Sequence, residues 1–481
     1  MGILSWFKKP AAAVRRVYDS ATRGRRTDGW YTTNGDANSA AKAAGAITRD
    51  RARDLVRNDP VARSMVRVID DNVIGMGIVP RFESDALADL WKRWAESTQC
   101  DSAGLLNFYG LQSQVCKAVV TSGGCLVRAR ARRPEDGLAV PFRLEVLEDD
   151  YLDSLKNERL PTGGQIVQGV EVSPLGEVVA YWLFPAHPGG ELTSGQVSFR
   201  VPADECIYIY DSTERPGARR GVSWVAAAVL TLRDIGEVDD AVINQAKVAA
   251  CFGALITRGE GEDRDGAELD DNAHERITPG MIERLDFGED VKTLTPPTFQ
   301  GYKDYVWLAL HKACAAVGTP YELVFGDLMN VNFSSGRLGF TEFARRVERW
   351  QYQLFVPGLC EPVGRWFVKY ASLAGEPAAR RAKPPEWTAP RRQMLDPSND
   401  TAAVKDQVRA GLLPPLEALR QQGYSDPVGV LKQYAEDWAL IDSLGLVFDT
   451  DPRRVSAPGG GGLTSAPPND TTAKTDAKAD K

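Results

Sequence analysis

The chain has 481 residues, of which 43% are hydrophobic and 26% are charged, a balance typical of a soluble globular protein with about two to four domains. The formal net charge of −7 excludes a global basic field of the kind that recruits nucleic acid. The longest apolar run, near residues 222–232, is too short to cross a bilayer, and neither a signal peptide nor a membrane segment is expected.

Cysteine and histidine usage gives little support to redox or metal chemistry. The seven cysteines are scattered without a C-x-x-C pair and are expected to be reduced and mostly buried. The three histidines show no ligand spacing, so a histidine-based metal or catalytic site is not expected. The sequence has no G-x-x-x-x-G-K-[ST] phosphate loop, and no cofactor is expected.

The N-terminal part begins with a basic run and continues as predicted helices. Residues 1–47 are interpreted as a flexible arm, because Lys and Arg dominate residues 8–26 and small residues fill 34–45. The predicted helices share apolar periodicity and end signals; they start at Thr48 and at Pro60, the latter ending at Gly75, and others lie near 85–96 and 108–121. The helix near 85–96 carries one apolar face, made of Leu87, Leu90, Trp91 and Trp94.

Residues 123–211 are predicted to be mainly β structure. CLVRARAR alternates apolar and arginine positions as a half-buried strand does, and FRLEVLEDDYL and ECIYIYD show similar alternation. VQGVEVSPLGEVVAYWLF predicts two strands about a Ser-Pro-Leu-Gly turn. The arginines at Arg128, Arg130 and Arg132 favour a solvated or partner-facing strand surface over a phosphate site.

Helical patterns return after the β region. A long helix is predicted from Ser223, its expected N-cap, to about residue 250, and another over Tyr302–Val317. Between them, MIERLDFGEDVKTLTPP is expected to carry a short strand.

The stretch VNFSSGRLGFTEFARRVERW at 331–350 places small polar residues directly before a patterned helix. The apolar positions of this helix step by three and four, as a buried seam does, and are Phe340, Phe343, Val347, Trp350 and Leu354. The arginines off the seam are expected to pair within the helix, and they are Arg345, Arg346 and Arg349, with Glu342 and Glu348 as partners. Pro357 and Gly358 are expected to end the helix.

The C-terminal part is predicted to be helical and then disordered. A Pro/Arg-rich stretch follows Ala374, and residues 401–444 carry helical patterns with breaks at Gly411 and Gly423. Residues 452–481 have the composition of a disordered tail.

An acidic run is the strongest candidate for catalysis. Glu148, Asp149 and Asp150 could bind Mg²⁺ in a metal-dependent DNA-processing enzyme such as a nuclease. Acids on a surface more often serve as solubilising charge, and that interpretation is favoured here.

Several segments resemble the lambda-type portal proteins of tailed bacteriophages. Similar to the family are ARDLVRNDPVARSMVRVIDDNVIGMGIVP, VQGVEVSPLGEVVAYWLFPAHPGG, INQAKVAACFGALI, GTPYELVFGDLMNVNFSSGRLG and GLLPPLEALRQQGYSDPVGVLKQYAEDWALIDSLGLVFD. The most specific segment is VPADECIYIYDSTERPGARRGVSW, whose motif residues, with a structural role, are Arg215, Pro216, Gly217, Arg220, Gly221, Ser223 and Trp224. The segments lie in family order over about residues 48–450.

The resemblance implies an α+β portal fold with a wing of helices and β-sheet, long stem helices, a clip and a helical crown. The implied divisions are the arm (1–47), wing (48–222), first stem helix (223–250), clip (251–297), second stem helix (298–318), tunnel loop (319–337), long helix returning to the wing (338–374), crown (375–450) and disordered tail (451–481).

The resemblance also implies a structural protein rather than an enzyme. Its copies would form a ring, commonly of twelve, at one capsid vertex of the virion, after synthesis in the bacterial host cytoplasm. Duplex DNA would pass through the ring, driven in by the terminase motor and later ejected. Implied partners are other copies of the chain, double-stranded DNA bound without sequence specificity, the large terminase subunit, a head-completion or adaptor protein, and the major capsid protein and scaffold, with no membrane.

The resemblance places the tunnel loop around the DNA. The candidate channel residues are Asn330, Asn332, Ser334, Ser335 and Arg337. Short polar groups suit contact with a sliding duplex, whereas Arg337 either contacts phosphate or forms a structural salt bridge. The two glycines in Gly336-Arg337-Leu338-Gly339 depart from the helix formers expected there. Besides the enzyme, the alternative is another head or neck ring protein of different symmetry.

Overall fold

The computed structural model describes residues 25, 28–32, 34–191, 195–251, 255–258, 289–292, 301–327, 333–390, 397–424 and 426–446. Across these ranges the chain is α+β, with a strand-rich middle between helical parts. No helix in them is long and apolar enough to cross a membrane. The chain forms two compact units, the first comprising 1–66, 118–128 and 146–317, and the second 67–117, 129–145 and 318–481.

The helices are α1 (Ala37–Asn58), α2 (Pro60–Val73), α3 (Asp85–Ala95), α4 (Phe108–Ser122), α5 (Val229–Cys251), α6 (Tyr302–Val317), α7 (Tyr321–Phe325), α8 (Phe333–Trp350), α9 (Glu361–Leu373), α10 (Pro397–Arg409), α11 (Pro415–Gln421) and α12 (Pro427–Ser443). The strands are β1 (Val79–Arg81), β2 (Gly124–Ala131), β3 (Phe142–Glu148), β4 (Glu158–Arg159), β5 (Gln165–Val167), β6 (Val170–Val172), β7 (Val178–Leu183), β8 (Phe199–Pro202), β9 (Cys206–Tyr210), β10 (Leu255–Arg258), β11 (Glu289–Lys292) and β12 (Glu386–Thr388). A π-helical segment, Gln351–Cys360, joins α8 to α9.

The first unit is built around an antiparallel sheet in the order β4-β5-β6-β7-β8. Inward side chains of β6, β7 and β8 form a core with β2 and β9, which pair antiparallel with each other. The expected hairpin is confirmed, since β6 and β7 flank the Ser-Pro-Leu-Gly turn. The described β region therefore agrees with the sequence prediction.

The expectation that β2 is half-buried is wrong for its first half. Cys125, Leu126 and Val127 are all buried, and the alternation begins only at Arg128. Leu126 belongs to the core of the first unit, so both faces of this part of β2 are covered. Farther along, the ring of Phe199 lies 5.4 Å from the Arg128 guanidinium.

The second unit has an aromatic core. Trp94 stacks on Phe142 with ring centroids 4.5 Å apart, and its Nε1 donates a hydrogen bond to the Phe142 carbonyl oxygen at 3.0 Å. Trp91 meets Phe367 edge-on at 4.9 Å. The tryptophan face predicted for α3 is thus confirmed as buried, and it ties α3 to α9.

The first helix begins earlier than the sequence predicted. α1 starts at Ala37 rather than Thr48, so residues 37–45 are helical and not loose. Asp36 caps the helix, its side chain accepting a hydrogen bond from the Ser39 N–H at 2.9 Å. Alanines favour the helix in this stretch, which offsets the effect of Gly45. The basic run at 8–26 lies outside the described residues apart from Arg25.

The prediction that Pro357 and Gly358 end the long helix is also wrong. The chain continues through them as the π-helical segment, in which the Glu361 N–H bonds the Val356 carbonyl oxygen five residues back. Proline clashes with the i−4 carbonyl in an α-helix, and a wider winding relieves this clash. Phe355 and Leu359 are buried on either side, so packing holds the segment in place.

Other predicted helices agree with the structure. α6 has the bounds that its sequence predicted. α10 ends before Gly411, α11 lies between Gly411 and Gly423, and α12 follows Gly423, so both predicted breaks are confirmed. The strand expected within residues 281–297 is confirmed as β11, which pairs antiparallel with β10. The predicted tail at 452–481 lies outside the described residues.

Candidate functional site

The loop between β9 and α5 carries the family-motif residues, and its first half holds the start of α1. The Asn38 side chain donates to the Gly217 carbonyl oxygen at 3.0 Å and accepts from the Arg219 N–H at 2.8 Å. Arg215 donates to the Gly35 carbonyl oxygen at 2.7 Å. Gly217 has φ +81°, a conformation that glycine adopts without strain.

Glycines allow a close backbone approach in the second half of this loop. A Cβ at Gly221 would lie 1.9 Å from the Gly123 carbonyl oxygen, so a side chain there would displace one of the two backbones. The Gly221 N–H donates to the Tyr208 hydroxyl at 3.1 Å, and the Trp224 N–H donates to the Val120 carbonyl oxygen at 3.0 Å. Pro216, between the two halves, is exposed.

Ser223 does not cap α5 as the sequence predicted. The helix begins at Val229, and residues 224–228 form turns in which the Ser223 carbonyl oxygen accepts from the Ala226 N–H at 3.1 Å. The Ser223 side chain is buried. α5 is therefore shorter at its N-terminal end than the helix predicted from Ser223.

Arg220 is the buried centre of the motif and binds Asp149. The guanidinium forms an ion pair with the Asp149 carboxylate and donates to the carbonyl oxygens of Asp149 at 2.8 Å and Leu152 at 3.0 Å. Arg49, from α1, pairs with the same carboxylate, and the Tyr208 hydroxyl donates to it at 2.6 Å. Asp149 is fully buried, and these partners compensate its charge.

The neighbouring acids extend this group toward the surface. Asp150 accepts from Arg49 Nε at 3.1 Å and from Arg49 Nη2 at 2.9 Å, and it pairs with Arg53. Arg53 Nη2 also lies 2.9 Å from Glu148 Oε2, and His187 Nε2 lies 3.3 Å from the same oxygen. Below, the name Arg–Asp cluster refers to the three acids Glu148, Asp149 and Asp150, the three arginines Arg49, Arg53 and Arg220, and Tyr208 and His187.

The surroundings of the cluster favour the ionised form of Asp150 and the protonated form of Tyr208. Burial would raise the pKa of Asp150, but the charges and hydrogen bonds of Arg49 and Arg53 outweigh it and lower the pKa. Burial raises the pKa of Tyr208 well above its ordinary value, and the nearby Asp149 charge adds to the effect. Tyr208 thus keeps its proton and donates it in the hydrogen bond to Asp149.

The acidic run is not built as an open metal site. Its interpretation as solubilising charge is wrong for Asp149, which is buried and paired with arginines. Glu148, Asp150 and His187 bring one potential ligand atom each to within 4.8 Å of one another. Arg53 already pairs with both of those carboxylates, so a guanidinium stands where a divalent cation would bind. The geometry gives no support to a Mg²⁺-dependent reaction.

The predicted tunnel loop contains more helix than expected. Within 319–337, α7 forms first, and α8 begins at Phe333, so Ser334 and Ser335 lie in its first turn rather than in a loop. Asn330 and Asn332, and the side chains of the two serines, lie outside the described residues.

Arg337 is the candidate channel residue whose contacts are described. Its Nη2 lies 2.7 Å from Asp400 Oδ1 in α10, which corresponds to the salt-bridge alternative left open by the sequence. Farther along α8, Arg345 pairs with Glu342 at 2.7 Å as predicted. Arg346 instead donates to the Gly318 carbonyl oxygen at 2.5 Å, outside its own helix.

Sequence reasoning missed the partners of the motif. Asn38, Arg49 and Arg53 lie in or next to a segment that was interpreted as an arm and a plain helix. The signal that could have indicated Asn38 is the Asp36-Ala-Asn-Ser cap pattern. No local pattern connects Arg49 to acids 100 residues away.

Together, the α+β fold and the Arg–Asp cluster define a chain in which buried ionic groups hold separate elements together. The sequence matches the model of the phage portal protein lambda family over residues 23–351. The chain belongs to this family, because the match covers more than half of its length. Its members are structural proteins, and the portal role at the head–tail connector follows from membership.

The chain is also similar to individual proteins. The probable portal protein of Halomonas phage phiHAP-1 is 28% identical over 468 residues, covering 90% of this chain and 88% of the relative. The neck of a native gene transfer agent particle computed with C12 symmetry is similar at 17% identity and a TM-score of 0.49, covering 76% of this chain and 91% of that one. An HK97 family phage portal protein from Corynebacterium diphtheriae has 12% identity and a TM-score of 0.31, with coverages of 72% and 95%. The family assignment rests on the sequence matches.

Proposed function

We propose that copies of this chain close into a ring of twelve at one capsid vertex, and that double-stranded DNA enters and leaves through the axis of the ring. The observation that carries the proposal is the family match over residues 23–351. A closed ring requires a head-to-tail interface repeated by rotation. The ring would be part of the virion, and the chain would be made in the cytoplasm of the bacterial host.

The order of elements supports the division into wing, stem and clip. The strand-rich residues of the first unit would form much of the wing, and α5 and α6, which pack on each other, the stem. β10 pairs with β11 in the register Leu255↔Lys292, so the chain leaves and re-enters the stem at one place. Residues 251–297, which include both strands, would form the clip, on which the large terminase subunit and later a head-completion protein would dock.

The C-terminal helices would form the crown, and residues 319–337 would narrow the channel. Within that segment, the residues between α7 and α8 would face the duplex. Side chains such as Asn330 and Asn332 can touch DNA without reading bases or gripping phosphate. Fixed Lys or Arg contacts to phosphate would strengthen binding through counterion release, which a conduit must avoid.

The overall charge supports weak binding to passing DNA. A chain with a formal net charge of −7 makes an acidic ring when repeated around an axis. The basic run at 8–26 would contact a neighbouring copy, or the major capsid protein and scaffold, rather than the DNA.

Negative-stain imaging of the purified chain tests this proposal. We expect particles with twelve-fold symmetry and an open axial hole. Particles without rotational symmetry, particles with a filled centre, or a chain that stays monomeric even inside virions would contradict it. A ring of another symmetry would favour a different head or neck protein.

A further inference from the structure

The pair between Arg337 and Asp400 connects the beginning of α8 to α10, two elements of the second unit. We propose that Asp400 positions Arg337, and that this pair fixes the C-terminal end of the channel segment, the residues between α7 and α8. Arg337 then acts by positioning this segment rather than by binding phosphate. The proposal rests on the ring function proposed above. It adds a positioning residue, Asp400, that no sequence motif indicates.

The Arg337–Asp400 pair is a tertiary ion pair between α8 and α10. Arg337 Nη2 lies 2.7 Å from Asp400 Oδ1, and the two residues are 63 positions apart in the chain. The Arg337 side chain is 46% exposed and the Asp400 side chain 26%. Asp400 lies in the first turn of α10, where a carboxylate interacts favourably with the helix dipole. The position of the carboxylate is therefore favoured independently of Arg337.

The sequence at the beginning of α8 gives the helix little intrinsic stability. Its first turn holds no acid, and Gly336 and Gly339 weaken the helix. The space beside Gly339 is open, since a Cβ there would meet no atom within 4 Å. The Thr341 hydroxyl donates to the Arg337 carbonyl oxygen at 2.8 Å, but this bond is internal to α8. Arg337 is thus well placed to anchor a turn that is intrinsically weak.

A second ion pair in α8 provides a matched comparison. Arg345 and Glu342 lie one turn apart at 2.7 Å, with side chains 70% and 61% exposed. That pair joins α8 to itself and cannot fix its position against another element. Reversing the charge of Arg345 therefore makes the same chemical change in the same helix but leaves the ion pair between Arg337 and Asp400 intact.

Under the proposed function, the Arg337–Asp400 ion pair has a mechanical consequence. The residues between α7 and α8 would face DNA, and the first turn of α8 is their C-terminal attachment. A displacement of α10 would therefore be passed to the channel segment through Arg337. A guanidinium already paired at 2.7 Å is also less available to phosphate, which agrees with a conduit that must not hold DNA.

Charge reversal of each partner, and of both, tests the inference. Arg337→Glu, Asp400→Arg and the double variant are compared with Arg345→Glu, using assembled rings. Hydrogen exchange is measured for the amides of residues 336–341, and packaging is measured as DNA-filled particles in a reaction with the phage's own capsid and terminase proteins. Each single reversal should speed exchange about fivefold, the factor that about 1 kcal/mol of coupling gives, and should lower the yield of filled particles. The double variant should recover most of both readouts, with a remaining defect from the cation that Asp400→Arg places at the start of α10, and Arg345→Glu should leave the yield unchanged.

Two outcomes would overturn the inference. One is a double variant as defective as Arg337→Glu, and the other is Asp400→Arg with wild-type exchange and packaging; either would mean that Arg337 acts directly on DNA or elsewhere. Failure of the proposed function is recognised separately, because a wild-type chain without rings or a channel contradicts the function. The exchange measurement on that same protein would still decide whether the two residues are coupled.

Discussion

The Arg–Asp cluster of the first unit and the Arg337–Asp400 pair of the second unit use the same residue types under opposite conditions. Asp149 is fully buried between two guanidinium groups, whereas Arg337 and Asp400 are both partly exposed. A buried charge that loses its partner remains desolvated, but an exposed charge is rehydrated by water. We therefore expect the cluster to be required for folding and the exposed pair to affect position far more than stability.

The largest effect is expected from Arg220→Ala, which breaks the buried side of the comparison. Removing the guanidinium leaves the Asp149 carboxylate and the Leu152 carbonyl oxygen short of a partner, at a cost of about 3–5 kcal/mol in the free energy of unfolding. Chemical denaturation measures the loss. Arg233→Ala is the control, since its pair with Glu237 is exposed and should contribute less than about 0.5 kcal/mol. Equal losses in the two variants would refute the distinction.

Close backbone packing beside the cluster is tested by Gly221→Ala. The new Cβ would lie 1.9 Å from the Gly123 carbonyl oxygen, so the two backbones must separate and the free energy of unfolding should fall by about 3 kcal/mol. Gly236→Ala serves as the control, because its surroundings in α5 are open and the change should stabilise by about 0.5–1 kcal/mol. A tolerated Gly221→Ala would show that charges alone hold this loop.

Acid should act on the cluster through Asp150. Its pKa is lowered in the folded chain, so the stability it contributes is present above its ordinary value of 3.8 and is lost as the pH falls through the lower folded value. Denaturation at a series of pH values should show a shallower acid loss for Asp150→Asn than for the wild type. An unchanged slope would mean that Arg49 and Arg53 do not stabilise the ionised form.

Replacing a glycine near the exposed Arg337–Asp400 pair should give a small gain in stability. Gly339→Ala replaces a helical glycine in open space and should stabilise the start of α8 by about 0.5–1 kcal/mol. Hydrogen exchange of the α8 amides reports this change directly. Gly364→Ala is the contrast within the same unit. Its Cβ would lie 3.0 Å from Pro385, so this variant should not gain stability. Faster exchange in Gly339→Ala would indicate that flexibility here has another cause.

The smallest effect on stability is expected from Arg337→Ala, which breaks the exposed side of the comparison. Loss of the partly exposed pair should cost about 0.5 kcal/mol or less, and rings should stay intact while DNA packaging or retention changes. Denaturation and imaging of the same sample separate the two effects. Rings that fail to assemble would give Arg337 a role in assembly instead.

Sequence reasoning was most successful where the structure depends on local pattern. The bounds of α6 and the buried tryptophan face of α3 follow from helical periodicity and end signals, which neighbouring residues encode. It failed at Pro357, because a π-helical winding is favoured by buried neighbours that a local rule does not see. The early start of α1 was missed because small residues were interpreted as loose, although Asp36 supplied a cap.

The candidate site was predictable in part. The resemblance indicated Arg215, Gly217 and Arg220, and the structure gives each a described contact. Their partners were not predictable, because the pairing of Arg49 with Asp149 depends on tertiary folding across 100 positions. Adjacent acids look like surface charge until the arginines that bury them are known.

The contacts of α1 also set a limit to how far a protease could shorten the chain at its N-terminal side. Gly35, Asn38 and Arg49 hold the loop and the cluster through bonds to Arg215, Gly217 and Asp149. Cleavage before Gly35 would spare all of these bonds. Cleavage after Arg49 would strip Asp149 of one of its two cations, so all of these contacts are kept only when the chain is cut upstream of Gly35.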